Sequence, residues 1–204
     1  MGVFVNFLLS GSVVSLFFQV LPISLLAGAV FAAARYACIR RNGSHLTWQK
    51  ELPRLLLVCY VTGLINLVLV PSNLWNDIWY ALLTGAPFTY SSAPPFTGGF
   101  SLVPTFVRYL TGEFVGHPGE WIKTMLAGNF LMFLPMGVLL PLVFPRLSCS
   151  RLWLLPAAIP LAIELLQPLL GRSFDTDDLL LNALGIAAGW GLTAICRGLL
   201  RRKK

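Results

Sequence analysis

The stretch that decides the fold is VVSLFFQVLPISLLAGAVFAAARYACI, residues Val13–Ile39, in which Arg35 is the one charged side chain. A transmembrane helix needs about 20 consecutive apolar residues to cross the hydrocarbon core of a bilayer. Pro22 would break a helix in water, but membrane helices tolerate proline because neighbouring groups satisfy the freed backbone carbonyl. This stretch therefore predicts a membrane-spanning helix.

Further windows of the same character predict an all-α, polytopic membrane helical bundle with about five transmembrane helices. The four other spans are expected at about Leu55–Trp75, Met125–Phe144, Leu152–Leu170 and Leu179–Cys196. The apolar residues Val3–Leu9 exceed what the first span needs, and we expect them to lie flat at the membrane interface.

The composition of the whole chain supports a membrane protein. Of the 204 residues, 56% are hydrophobic and 11% are charged, whereas soluble domains carry about 25% charged residues. A chain this short cannot hide so much apolar surface inside one core in water. Met1–Ser10 lacks a basic region and no A-x-A cleavage site follows, so we expect no cleavable signal peptide.

The basic residues predict the orientation, because cytoplasmic loops of membrane proteins carry an excess of lysine and arginine. Of the 15 basic residues, only Arg108, Lys123 and Arg172 fall on one side of the predicted spans. That side also holds most of the acids: Asp77, Glu113, Glu120, Asp175, Asp177 and Asp178. The N-terminus should therefore be outside and the C-terminus cytoplasmic. The net charge of +7 follows the span ends and not a stripe, which argues against nucleic-acid binding.

The cysteines give no sign of a metal site. No C-x-x-C pair occurs, and His45 and His117 lie in separate predicted loops, so we expect neither zinc nor a disulfide framework. All four fall at or near predicted cytoplasmic ends, where thiols stay reduced. They are Cys38, Cys59, Cys149 and Cys196.

An extracytoplasmic segment, Asn76–Lys123, interrupts the simple bundle and is too rich in aromatic residues for a polar linker. One interpretation is that short interfacial helices in this segment cap the outer mouth of the bundle. The other is that the segment is a loop lying on lipid headgroups as an aromatic belt. The sequence leaves both open.

Polar residues in the last three spans predict a site near the outer face. Glu164 is an ionisable residue inside a span, which is costly and usually functional, and Gln167 shares its helical face. At 1.5 Å per residue, Glu164 should lie about 9 Å, Asn182 about 5 Å and Asn129 about 6 Å below the outer helix ends. This shared depth predicts one polar pocket open to the outside.

Structural roles are the alternative for each of these residues. Glu164 can form an ion pair with Arg172, and Asn129 and Asn182 can hydrogen-bond between helices. Asp178 is expected to cap the fifth helix, because aspartate is common at that position. Gly185 and Gly189 form a small-residue stripe that permits close helix contact.

The acidic residues admit two kinds of chemistry. Glu164, Asp175, Asp177 and Asp178 can together hold a divalent cation through oxygen ligands. A carboxyl in a low-dielectric layer can also serve as an acid with a raised pKa, which makes Glu164 and Asp178 the catalytic candidates. Against catalysis, the chain has no G-x-S-x-G motif and no metal-binding histidines. Whether the protein is an enzyme is left open, and we expect no cofactor beyond the cation.

Four blocks of sequence resemble the VanZ-like family of bacterial membrane proteins. They cover roughly residues 100–190, and the last two are the most specific. The blocks are Ser101-Leu102-Val103-Pro104, Gly128-Asn129-x-x-x-Phe133-x-Pro135-x-Gly137, Glu164-x-x-Gln167 and Arg172-x-Phe174-Asp175-x-Asp177-Asp178-x-x-x-Asn182-x-x-Gly185.

The resemblance implies a single VanZ-like integral membrane domain over residues 1–204, in the bacterial cell membrane. It also implies a link to low-level resistance to teicoplanin, a glycopeptide antibiotic with a lipid tail. The polar motif residues are the expected ligand-binding residues: Asn129, Glu164, Gln167, Arg172, Asp175, Asp178 and Asn182.

Three functions remain in view. The first is a non-enzymatic protein that binds an amphiphile at the outer leaflet, such as a membrane lipid, a lipoglycopeptide or a lipid-linked cell-wall precursor. The second is a membrane enzyme that modifies an envelope lipid headgroup. The third is a small transporter or flippase, for which Gln19 and Asn66 are the polar residues of the first two spans.

Overall fold

Eight α-helices and one pair of short parallel strands make up the described part of the chain. This computed structural model describes residues 2–10, 12–43, 45–112, 120–145 and 154–202. The chain divides into two compact units. The first unit is Met1–Pro95 with Leu170–Arg172, and the second unit is Phe96–Leu169 with Ser173–Lys204.

The first unit is built around one long helix. The side chain of Ser12 caps the start of this helix, because its hydroxyl accepts a hydrogen bond from the Ser15 N–H at 3.2 Å. The other helices of the unit pack mainly on this long helix, α2. The four helices are α1 (Val3–Leu8), α2 (Val13–Arg41), α3 (Trp48–Val68) and α4 (Ser72–Thr84).

Ion pairs join the end of α2 to the start of α3. The guanidinium of Arg35 donates to both carboxylate oxygens of Glu51, at 2.7 and 3.0 Å. Arg54 donates to the same carboxylate at 2.5 Å. Because Arg35 and Arg54 both pair with Glu51, the helix can include this carboxylate without leaving its negative charge uncompensated.

The predicted bounds of the second span, Leu55–Trp75, were wrong. The helix starts earlier, at Trp48, since the paired Glu51 is part of it. It ends at Val68, and after Pro71 a separate helix, α4, contains Trp75. Proline lacks an N–H and clashes with the preceding turn of a helix, which accounts for the break.

The second unit is a bundle of α6, α7 and α8 with a small strand pair at one end. Both α6 and α7 pack on α8, and Phe100 and Ser101 pair in parallel with Phe174 and Asp175. Its elements are β1 (Phe100–Ser101), α5 (Thr105–Leu110), α6 (Glu120–Val143), α7 (Leu155–Leu166), a 3-10 helix (Gln167–Leu170), β2 (Phe174–Asp175) and α8 (Thr176–Arg202).

Glycines allow α6 and α8 to pack with their backbones in contact. A Cβ atom on Gly185 would overlap the carbonyl oxygen of Phe130, and one on Gly189 would overlap that of Leu134. The small-residue stripe predicted on the fifth helix is thereby confirmed as a close contact surface.

The other predicted spans coincide with helices of similar bounds. The first corresponds to α2, the third to α6, the fourth to α7 with its 3-10 extension, and the fifth to α8. Leu152, where the fourth span was predicted to start, and Cys149 lie outside the described residues. Within the segment Asn76–Lys123 the structure has most of α4 and all of α5, so the expected short helices are present.

Burial in the molecule is inverted relative to that of a soluble protein. In the described ranges, eight polar or charged residues are buried beside seven leucine, valine, isoleucine, phenylalanine or methionine residues, whereas soluble cores are dominated by apolar residues. Conversely, Val30 on α2 is 63% exposed and Ile195 on α8 is 62% exposed. Such apolar outer surfaces require a lipid environment.

Among the residues that the structure describes, three helices are long and apolar enough to cross a membrane, by length and composition: Val14–Arg41, Trp48–Val68 and Thr176–Leu200. Two shorter apolar helical stretches are Ala127–Val143 and Leu155–Leu170. The prediction of an all-α membrane protein is therefore confirmed.

Candidate functional site

One end of the second unit gathers the polar side chains that the sequence singled out. We call this group the polar cluster. Its members come from α6, the C-terminal end of α7, the 3-10 helix, β2 and the first two turns of α8. They are Asn129, Glu164, Gln167, Asp175, Asp177, Asp178 and Asn182.

Glu164 is the most deeply buried member, with no exposed surface. It lies near the C-terminal end of α7, and its Oε2 accepts a hydrogen bond from the backbone N–H of Asp175 at 3.0 Å. A buried carboxyl is costly without hydrogen bonds. This bond ties α7 to the segment that opens α8.

Asp175 caps α8. It precedes the first helical residue, Thr176, and its Oδ1 accepts a hydrogen bond from the backbone N–H of Asp177 at 2.9 Å. This is the geometry of an N-cap side chain. The sequence assigned the cap to Asp178, and that assignment was wrong because α8 begins at Thr176, so Asp178 lies inside its first turn.

Asp178 does not cap α8 but joins α8 to α6. Its Oδ1 accepts a hydrogen bond from the side-chain amide of Asn129. Asn129 lies in the first half of α6, and Asp178 in the first turn of α8. The sequence placed Asn129 in a polar layer with Glu164 and Asn182, and it did not predict the contact of Asn129 with Asp178.

Asp177 fixes the segment before α5. Its Oδ2 accepts a hydrogen bond from the backbone N–H of Thr105 at 2.8 Å, and it is 8% exposed. Thr176 adds a second link, because its hydroxyl donates to the carbonyl oxygens of Ser101 and Leu102 at 3.0 and 3.2 Å. The turn before α8 is therefore held by side chains as well as by the β1–β2 pairing.

The sequence reasoning missed the part that Ser101, Thr105 and Thr176 take in this arrangement. A signal was present, since Ser101-Leu102-Val103-Pro104 was one of the four family blocks. The structure gives a physical reason for that block: its first residue, Ser101, pairs with Asp175 of the fourth block, and the Thr176 hydroxyl donates to the carbonyl oxygens of Ser101 and Leu102. Two separate stretches of sequence thus form one structural feature.

Two amides complete the cluster. Asn182 is 2% exposed, and its Oδ1 accepts no hydrogen bond from any residue in the ranges that the structure describes. Gln167 is 4% exposed and lies at the start of the 3-10 helix. A buried acceptor left without a donor is unusual in native proteins, so Asn182 is a position where a ligand or water donor would be stabilised.

Arg172 belongs to the first unit, where its guanidinium donates to the carbonyl oxygens of Leu67 and Val70 at 3.4 and 3.3 Å. These carbonyls lie at the C-terminal end of α3 and just beyond it. An arginine there satisfies carbonyls that the helix leaves open. A ligand-binding role for Arg172 stays a prediction.

Burial raises the pKa of the Asp175 carboxyl, and the negative charge of Asp177 raises it further. The hydrogen bond from the Asp177 N–H and the charge of Arg108 act in the opposite direction. The net direction is upward, so this carboxyl resists ionisation more than an aspartate in water.

Each carboxylate of the cluster accepts a hydrogen bond from a different donor group. In the ranges that the structure describes, no three histidine, cysteine, aspartate or glutamate residues form a group that could hold a metal ion. The predicted cation on Glu164, Asp175, Asp177 and Asp178 stays a prediction.

The polar residues of the first two spans form hydrogen bonds with other groups of the first unit. The Gln19 amide donates to the Leu8 carbonyl at 2.7 Å and to Asn76 Oδ1 at 2.6 Å. Asn66 donates to the carbonyl of Thr62 in its own helix at 2.8 Å. These contacts favour structural roles for both residues.

Apolar helices with polar side chains buried between them define a helical membrane protein. The polar cluster at one end of its second unit is a candidate binding site. The chain belongs to the VanZ/LLP1 family, whose model matches residues 52–197. The match spans more than half of the 204 residues and includes the whole polar cluster. The chain matches no curated protein and no solved structure.

Proposed function

We propose that this VanZ-like membrane protein binds an amphiphile of the cell envelope through the polar cluster, at the outer leaflet, without chemical conversion. The amphiphile would be a lipid-tailed glycopeptide such as teicoplanin or a lipid-linked cell-wall precursor. Binding would lower the access of the antibiotic to its target and so give low-level resistance.

The observation that carries this proposal is the buried polar end of the second unit. Glu164, Asn182 and Gln167 are almost wholly buried among apolar helices, where unsatisfied polar groups are costly. Such residues within membrane spans usually mark a binding site or a pathway. The apolar outer faces of the same helices would meet the lipid tail of a ligand while the cluster meets its polar head.

The proposal includes a topology. We infer five spans, with the N-terminus outside and the C-terminus in the cytoplasm of a bacterial cell. The 24 residues of α6 extend about 36 Å, enough for a hydrocarbon core of about 30 Å. In this orientation the polar cluster lies on the outside, and α1 lies in the outer interface.

Resistance conferred on a teicoplanin-susceptible bacterium tests the proposal. Expression of the wild-type chain should raise the minimum inhibitory concentration of teicoplanin several-fold. The Glu164→Gln and Asp178→Asn substitutions should each return it to the value of the empty vector, because each removes a carboxyl group from the cluster. Immunoblots of membranes should show equal amounts of each variant.

Asp77→Asn is the matched control, since it makes the same change from carboxylate to amide in α4, outside the polar cluster. It should keep the resistance of the wild type. If Glu164→Gln and Asp178→Asn keep full resistance, the cluster has no part in it. A wild-type chain without any effect on teicoplanin sensitivity would remove this antibiotic from the proposal.

The second candidate is a membrane enzyme that modifies an envelope lipid headgroup, and the buried carboxyl of Glu164 favours it. A carboxyl without exposed surface is suited to act as an acid or base. Incubation of the protein in lipid with labelled envelope lipids, with and without magnesium or calcium, separates the two candidates. A new product that is lost in Glu164→Gln would replace the binding proposal by the enzymatic one.

A further inference from the structure

A basic pocket lies in the first unit, where α2 ends and α3 begins. The pocket has a volume of about 240 Å³. For comparison, a cavity of about 150 Å³ is enough to hold benzene. Its charged lining is Arg35, Lys50, Arg54 and Glu51, with His45 and Thr47 beside them.

The charges around the pocket are not balanced. Glu51 is its one carboxylate, and that group is shared between Arg35 and Arg54. In the ranges that the structure describes, Lys50 forms no ion pair. One anion against three cations leaves a positive potential that a bound anion would reduce.

The arginines are held in place and still accessible. The side chains of Arg35 and Arg54 are 35% and 36% exposed, while that of Glu51 is 15% exposed. Each arginine has a fork of donors that one carboxylate cannot use up, and this fork matches phosphate oxygens. The Thr47 side chain does not cap α3, so the positive end of the helix dipole adds to the potential.

An apolar groove adjoins the pocket and shares Arg35 and Glu51 with it. The groove has a volume of about 230 Å³, and its lining includes Phe31, Tyr36, Trp48, Leu52 and Leu55. Trp48 is 70% exposed and Tyr36 is 61% exposed, so these rings have surface to offer a ligand. A positive pocket beside an apolar groove, with two lining residues in common, is complementary to a molecule with an anionic head and a hydrocarbon tail.

We propose that the pocket and groove between α2 and α3 bind an anionic phospholipid, with its phosphate among Arg35, Lys50 and Arg54 and an acyl chain along the groove. Both helices are long and apolar enough to cross a membrane, so their ends lie where lipid headgroups are. Basic pockets between membrane helices bind such headgroups in other proteins. This site is separate from the polar cluster and does not depend on the proposed function.

Quenching of Trp48 fluorescence by brominated lipids tests the site in the full chain reconstituted in vesicles. The Trp48 signal is the difference between the wild type and a Trp48→Phe variant. At equal, small fractions in phosphatidylcholine vesicles, brominated phosphatidylglycerol should quench this signal more strongly than brominated phosphatidylcholine. Equal quenching by the two lipids would overturn the proposal.

Paired charge variants separate the pocket from the general charge of the membrane surface. The double variant Lys50→Gln with Arg54→Gln should reduce the preference for phosphatidylglycerol about fivefold or more. The double variant Arg40→Gln with Arg41→Gln removes the same charge from the last turn of α2, outside the pocket lining, and should change it less than twofold. An equal loss in both pairs would contradict a specific site.

Inorganic phosphate distinguishes a lipid from a free anion. Millimolar phosphate at constant ionic strength should leave the preference for the brominated anionic lipid intact, since phosphate lacks the acyl chain. Loss of the preference would show that the pocket takes a soluble phosphate and not a lipid. Lys50→Gln alone changes an exposed position and breaks no ion pair in the described residues. It should therefore fold and show a partial loss of the preference for phosphatidylglycerol even if the double variant does not fold.

Discussion

Asp175, Asp177 and Asp178 stand next to one another in the chain, yet each has a different task. Asp175 caps α8, Asp177 accepts from the Thr105 N–H, and Asp178 accepts from Asn129. The sequence could predict that these residues matter, because together with Glu164 they offer oxygen ligands for a cation and because they belong to the fourth family block. It could not predict which does what, because the tasks depend on where α8 begins and on contacts far away in sequence.

The pKa of Asp175 gives a prediction at the scale of one residue. Because it lies above the usual 3.8 in the folded protein, protonation stabilises the fold. That stabilisation is fully present below the pKa of the unfolded chain and is lost as pH rises through the folded pKa. Thermal unfolding of the purified protein should therefore show a stability that decreases as pH rises from the pKa of Asp175 in the unfolded chain to its raised pKa in the folded protein.

The Asp175→Asn variant should lack this component of the pH dependence. Asparagine keeps the side-chain oxygen that caps α8, so the cap itself is retained. The two proteins should then differ most above the folded pKa, where only the wild type carries a charge at this partly buried position. Identical pH profiles for the wild type and the variant would show that Asp175 is not the titrating group.

At the scale of the element, the apolar windows located the helices well. The predicted bounds of α2, α6 and α8 lie within a few residues of the structure, since hydrophobic length sets helix length in a membrane. The second span was misplaced because hydropathy excludes Glu51 and Arg54 from a span. The structure includes them by pairing them with each other and with Arg35.

The contact of α6 with α8 predicts opposite effects for two identical substitutions in α8. Gly189→Ala places a Cβ against the carbonyl oxygen of Leu134, so the helices must separate. Overpacking of this kind costs about 1–3 kcal/mol. Gly191→Ala has nothing within 4 Å of the new atom and should gain up to about 1 kcal/mol from helix propensity.

Thermal unfolding in detergent measures both variants. Gly189→Ala should unfold at a lower temperature than the wild type, and Gly191→Ala at the same or a higher temperature. Because the substitution and the helix are the same, the difference isolates the close contact. Equal unfolding temperatures for the two variants would mean that α6 and α8 are not packed through these glycines.

At the scale of the whole molecule, the family match extends from residue 52 into both units, beyond the part where the sequence blocks were found. The polar cluster lies in the second unit, and the proposed lipid pocket in the first. The sequence could predict the cluster because motif spacing and depth along the helices converge on it. It could not predict the pocket, because Arg35 and Glu51 are brought together only by the packing of α2 on α3.

The orientation of the polar cluster is central, because binding of an amphiphile from outside requires the cluster to face outward. Labelling of intact cells with a membrane-impermeant maleimide tests it most directly. Ser173 is exposed and adjoins β2, while the native Cys38 and Cys196 are exposed near the C-terminal ends of α2 and α8. The Ser173→Cys variant should be labelled in intact cells, and the wild type should be labelled only after the cells are permeabilised. Labelling of the wild type in intact cells, with Ser173→Cys adding nothing until permeabilisation, would contradict the account.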